Sequence, residues 1–278
     1  LAILFGSLSP FFFTKLNIAN LFVQTAELTT LAVALVFVIL LAEIDLSAGV
    51  AAGVAMDIFY LCLKAGLPWV AGVFVALIFG AVVGLVLGWF VAKIGVPSFV
   101  VTLAFFLGFQ GVALILLGDG GLFRVEVPEI KAIMNENLPA AVGWGLLVLM
   151  LVISLSIGLW DRARRAKLGL AVRPLSILLT RTALLGVLGG FIVFVLNQNR
   201  SAAMKPIAGV PIVIPIVVGL IFLGTFVLDR TRFGRHLYAV GGNPEAARRA
   251  GIKVGMIRIS AFVICSMLAV VSGLFHVS

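Results

Sequence analysis

The chain has 278 residues, of which 63% are hydrophobic and only 11% charged, and its mean hydropathy is +1.26. Soluble domains carry about 25% charged residues, so a water-soluble fold is excluded and an all-α, polytopic helical membrane protein is expected. The formal net charge of +9 does not imply nucleic-acid binding, because the basic residues gather in two segments between apolar runs, the pattern of cytoplasmic loops.

A bilayer core takes about 20 apolar residues per helix. In chain order, Leu1–Phe13 reads as the tail of a first span that begins before this chain does. Leu21–Leu41, Trp69–Ala92, Ser98–Gly118, Pro139–Trp160, Leu175–Leu196, Pro211–Leu228 and Ile259–Val277 meet or approach the spanning length. Ala48–Leu63 is shorter and contains Gly49, Gly53 and Asp57, so a broken or re-entrant helix is expected there. The total is about nine membrane segments in one domain over 1–278, expected to be incomplete at both ends. The many Gly and Phe residues suit helices that approach closely in lipid.

Orientation follows from charge. The segment Asp161–Arg181 holds Arg162, Arg164, Arg165, Lys167, Arg173 and Arg181 against Asp161. The segment 229–258 holds Arg230, Arg232, Arg235, Arg248, Arg249, Lys253 and Arg258 against Asp229 and Glu245. Between 118 and 138 the balance is reversed, with Asp119, Glu126, Glu129 and Glu136 against Arg124 and Lys131. Alternating the spans puts both basic segments on the cytoplasmic side and the acidic one outside, together with 14–20, 64–68 and 197–210.

Polar residues within apolar runs are candidates for a transport pathway, since such groups are costly in lipid. Gln24 and Glu27 share a helix face and either line a pathway or sit at headgroup level. Glu43 and Asp45 lie in a turn where Asp45 or Ser47 can cap the following helix. Asp57 lines the pathway or occupies the shallow end of a broken helix. Thr102 and Gln110, eight residues apart, lie near one face, and Gln110 suits either a sugar hydroxyl or a helix–helix hydrogen bond. Cys62 and Cys265 lie in apolar runs without a CxxC pair, and His236 and His276 lack ligand spacing, so no metal site is expected. No GxxxxGK[ST] loop and no nucleophile–His–acid constellation is present, so neither ATP binding nor catalysis is expected of this chain.

The last polar segment, 230–258, contains a short helix with signals at both ends. Asn243 is suited to the N-cap and Pro244 to the first helical position. Glu245 lies at the positive end of the helix dipole, and Arg248 and Arg249 at the negative end. Gly251 can take the left-handed conformation that stops the helix. Seven residues, 244–250, make a rod of roughly 10 Å, too short to persist alone. Docking against a partner is therefore expected, with the small Ala246, Ala247 and Ala250 allowing close approach after Gly241 and Gly242 and Arg248 and Arg249 available to pair with carboxylates.

The run RFGRHLYAVGGNPEAARRAGIKV (232–254) resembles the cytoplasmic coupling loop of bacterial ABC-importer permeases of the ribose/xylose, or monosaccharide, type. EIDLSAG (43–49) and PSFVVTLAFFLGFQG (97–111) resemble two further blocks of that family, in the same order. The resemblance implies an inner-membrane permease with a homodimeric pore, a separate ATP-binding cassette subunit that holds ATP and magnesium, and a periplasmic sugar-binding protein. It further implies that 229–258 is the cytoplasmic coupling loop. The family's Gly-rich GG-x-S-x-x-GG block is not found here. The additional apolar pair within 139–196 is similar to xylose permeases, so D-xylose is the expected substrate. Another pentose, a hexose or a branched-chain amino acid stays open, as does an ion-gradient-driven carrier using Glu27 or Asp57.

Overall fold

The structure is a computed structural model that describes residues 2–118, 125–172, 174–201 and 207–278. Asp119 and Arg124 of the acidic segment and Arg173 of the basic one lie outside the described residues. The elements run α1 (Ala2–Leu8), α2 (Lys15–Ile39), α3 (Ala48–Lys64), α4 (Trp69–Trp89, continued by a π turn Phe90–Ile94), α5 (Ser98–Leu117) and α6 (Pro128–Asn135). They continue through β1 (Asn137–Leu138), α7 (Ala140–Lys167), α8 (Leu175–Asn197), β2 (Val210–Pro211), α9 (Val213–Arg230), α10 (Arg232–Gly242), α11 (Pro244–Arg249) and α12 (Val254–His276).

The all-α, multi-pass expectation holds, but the expected count of about nine does not. Among the described residues seven helices are long and apolar enough to cross a membrane. The other two expected segments are α1, only seven residues long, and α3, with 17 residues. Contrary to the expectation of a broken element, α3 is uninterrupted. At 1.5 Å per residue it extends about 25 Å.

Helix ends also depart from the apolar runs. Residues 15–20 of the outer connection expected over 14–20 are already helical in α2, and α7 continues past Trp160 to Lys167. Hydropathy marks where lipid ends, whereas Arg and Lys are good helix formers and favour the C-terminal end of the dipole. Arg164 also lies over the Trp160 ring, 5.8 Å from its centroid.

Two compact units are formed. The first comprises 1–22 and 135–215. There α7 and α8 form an antiparallel pair with Leu147, Val193 and Leu196 buried between them and Ala19 and Val210 beside them. β1 and β2 pair antiparallel, Asn137 opposite Pro211 and Leu138 opposite Val210. Arg200 ties this end together. Its guanidinium donates to the carbonyls of Leu196 and Gly209 and, at 2.9 Å, to Asn137 Oδ1. Burial lowers the Arg200 pKa from its ordinary value.

The second unit comprises 23–134 and 216–278 and centres on α4 against α12, with α3 beside both. Gly80, Gly84 and Gly88 recur every fourth residue and so form one stripe along α4. A Cβ on Gly84 would lie 2.5 Å from the Phe262 carbonyl oxygen, and one on Gly88 would lie 2.7 Å from Ile259 Cα. Gly273 gives α12 the same closeness to α3, where a Cβ would stand 3.0 Å from the Ala52 carbonyl. The opposite side of α4 exposes Phe74, Ile78, Val82, Leu85 and Trp89, an apolar line suited to lipid. Val38, Ala51, Leu87, Phe262 and Ala269 are buried in the core of this unit.

Candidate functional site

The segment 230–258 is almost wholly helical rather than an open loop, because α10 precedes the expected short helix. Thr231 caps α10 by accepting the Gly234 N–H at 3.2 Å. Phe233, Leu237 and Val240 then recur at the spacing of one helix face, and Leu237 and Val240 are fully buried. Gly241 is required by packing: a Cβ there would collide with the Leu40 carbonyl oxygen.

Asn243 ends α10 in extended conformation and caps α11, its Oδ1 accepting the Ala246 N–H at 2.9 Å. Such a cap is worth about 1 kcal/mol. Pro244 occupies the first turn. Glu245 lies 3.4 Å from both Arg248 and Arg249. These pairs are mostly exposed, so each adds at most about 0.5 kcal/mol. Gly251 has φ +83. Its N–H donates to Arg248 O and the Ile252 N–H to Ala247 O, each at 3.0 Å, the paired bonds of a Schellman stop.

The faces of α11 differ. Ala247 is buried against Phe37, Leu41, Leu237 and Val254, inside this chain's own core. Ala246, Arg248, Arg249 and Ala250 face outward, as does Gly242. The close approach expected of Ala247 is thus made to its own chain, and Ala246 and Ala250 are the small residues offered outward. A groove of about 330 Å³ beside α11 is lined by His236, Ile252, Met256 and Ile257, among others.

Behind this surface lies a polar knot in the turn joining α2 to α3. Ile44 is held on both sides: its N–H donates to Ser98 Oγ at 3.1 Å, and its carbonyl accepts from Thr102 Oγ1 at 3.2 Å. Asp45 Oδ1 accepts from the Ser47 N–H at 2.9 Å and Ser47 Oγ at 2.7 Å, and the Cys265 thiol lies 3.8 Å from Oδ2. Asp45 thus shapes the turn, while Ser47 stands at the N-cap without a side-chain cap bond. Burial pushes the Asp45 carboxyl above its ordinary pKa, and the Ser47 hydrogen bonds oppose that shift. Glu43 Oε1 lies 3.3 Å from Arg258 Nε at the start of α12. This is an ion pair rather than an aligned hydrogen bond, since Nε has no partner in hydrogen-bond geometry.

The structure therefore gathers Glu43, Asp45 and Thr102, and adds Ser98, Arg258 and Cys265. The other pathway candidates stay apart. Gln24 and Gln110 are exposed, whereas Thr102 is fully buried. Asp57 is buried along α3. Glu27 meets α12, its carboxylate 3.0 Å from His276 Nδ1 and its carbonyl accepting from Ser272 Oγ at 2.8 Å. Among the described residues no three His, Cys, Asp or Glu side chains gather as a metal site.

A family model described as "Branched-chain amino acid transport system / permease component" matches residues 17–186 and 189–278. The xylose transport system permease protein of Escherichia coli is 36% identical over 264 residues, covering 93% of this chain and 64% of that protein. Its namesake from Haemophilus influenzae is 33% identical over 266 residues, covering 93% of this chain and 67% of that protein. The ribose import permease protein of Escherichia coli is 29% identical over 279 residues, covering 98% of this chain and 64% of that protein. The chain thus spans a little under two thirds of the length of the Escherichia coli relatives. No solved structure matches it.

Proposed function

The chain belongs to the branched-chain amino acid transport system / permease component family, and on that premise we propose that it is the membrane-spanning subunit of an ATP-driven monosaccharide importer in the bacterial inner membrane. Two copies form the pore, an ATP-binding cassette subunit docks on the cytoplasmic side, and a periplasmic binding protein delivers the sugar. ATP and magnesium sit on the ATPase, and this chain performs no catalysis. Closure of the ATPase pair moves α10 and α11, and the spans follow as rigid bodies to give alternating access.

One observation carries this reading: α11 is capped at both ends, seated on its own core through Ala247, and outwardly small and basic. A helix of six residues is marginal alone. Its cap bonds and the packing of Ala247 hold it in place, which suits a projection that docks on a partner. D-xylose is favoured over ribose by the higher identity to the xylose permeases and by the α7–α8 pair.

Reconstitution of the full-length protein with its ATPase and binding protein in proteoliposomes tests the reading. ATP-dependent D-xylose uptake is expected. Uptake that persists without ATP and collapses with the proton gradient would contradict it, and uptake of a branched-chain amino acid in place of sugar would correct the substrate.

A further inference from the structure

We propose that the turn 40–47 is the relay that passes movement of α10 and α11 to the membrane helices, with Glu43 and Arg258 as its positioning pair. The proposal rests on the reading of α11 as the ATPase contact.

The relay has an input side. Gly241 of α10 is pressed on the Leu40 carbonyl, where even a methyl group has no room. Leu237, Val240 and Ala247 pack with Phe37 and Leu41, which flank the end of α2. A displacement of the α10–α11 pair therefore meets the start of this turn through packed atoms, and close-packed interiors transmit strain.

The turn itself is stiff. Ala42 is held at φ +58, a left-handed conformation unusual for a residue with a side chain. The backbone bonds Leu41 N–H to Val38 O at 3.0 Å and Ala42 N–H to Ile39 O at 2.9 Å close it locally. Asp45 fixes its far end through Ser47.

The output side reaches two membrane helices. Ser98 and Thr102 clasp Ile44 from the first turns of α5. Glu43 pairs with Arg258 near the start of α12, where the two side chains are 13% and 26% exposed. That burial makes the pair a discrete contact, since separating it would leave a charge poorly solvated. Beyond Arg258, α12 lies against the glycine stripe of α4, so what moves α12 also moves α4. The competing route is the short connection from α11 to α12 through 250–253. If that link carried all of the movement, the pair would contribute only to stability.

The test uses the full-length protein with its ATPase and binding protein in proteoliposomes and measures sugar taken up per ATP hydrolysed. Glu43→Gln and Arg258→Gln are each expected to retain the ATPase but lower this ratio roughly tenfold, within the usual range of coupling between sites. The double variant should be no worse than either single, and Arg258→Lys should recover most of the ratio. A general loss of stability would instead lower uptake and hydrolysis together and leave the ratio in place. Retained ATPase with an unchanged ratio in both singles, or single losses that add in the double variant, would overturn the relay alone. Failure of the parental chain to hold an ATPase would overturn the reading of α11, and the relay with it.

Discussion

Gly84→Ala in α4 tests the packing that supports the site. The new methyl would stand 2.5 Å from both the Phe262 carbonyl oxygen and Val263 Cα. Non-bonded carbon contacts settle near 3.5–4.0 Å, so α4 and α12 must separate by about 1 Å along their closest stretch. Overpacking of this kind costs about 1–3 kcal/mol. Alanine also favours the helix over glycine by roughly 1 kcal/mol, which offsets part of the loss. Gly108→Ala isolates that second effect, because nothing lies within 4 Å of the Cβ it would add. The difference between the two variants is therefore the cost of overpacking. Thermal unfolding of the purified protein in detergent should place Gly84→Ala roughly 2–10 °C below Gly108→Ala. Equal melting of the two variants would refute the close α4–α12 contact.

Asn243→Ala removes the 2.9 Å cap bond of α11. It should fray that helix by about 1 kcal/mol, read as faster amide exchange at Ala246 and Ala247 with the other helices unchanged. The Asp45 carboxyl, raised from its ordinary 3.8 by burial, binds its proton more tightly in the folded than in the unfolded chain. Its stabilising effect is full below pH 3.8 and is lost as pH rises through the folded value. Asp45→Asn should therefore flatten the fall in melting temperature over that window, and identical pH slopes for parent and variant would count against the burial. Cysteines placed at Ala166 and Ala246 should label only from the cytoplasmic side and one at Asn135 only from outside. Labelling of 135 and 166 from the same side would break the assigned topology.

The legible parts of this molecule are those whose signals are local. Asn243, Pro244, Glu245 and Gly251 each act within one turn of their own position, so the limits of α11 follow from residue types to within a residue. The helix before it was less visible, because Leu237 and Val240 lie among Arg232, Arg235 and His236 and the whole stretch reads as polar. Thr231 followed by apolar residues at 233, 237 and 240 was the available signal. The Gly80–Gly84–Gly88 stripe was likewise present, but identifying its partner requires knowing that α4 meets α12. By residue type alone Glu43, Asp45 and Thr102 are pathway candidates, with Asp45 equally suited to capping the next helix, because ionisable and polar groups among apolar segments suggest one or the other. Their partners Arg258, Cys265 and Ser98 lie far along the chain, and only the fold brings them together as a partly buried knot.

The proposed function stands or falls with the outer face of α11 as the ATPase contact. Ala247→Asp is a poor probe of it, because Ala247 is 4% exposed and a charge there would disrupt this chain's own core. Ala246→Asp combined with Arg248→Glu changes only exposed positions. The direct measurement is co-purification of the ATPase with this double variant, beside ATP-dependent sugar uptake and the melting temperature of the isolated protein. The expected result is loss of the bound ATPase and of uptake with a melting temperature within about 2 °C of the parent, since only the exposed Glu245–Arg248 pair is lost. A double variant that keeps its ATPase and transports at the parental rate would contradict it.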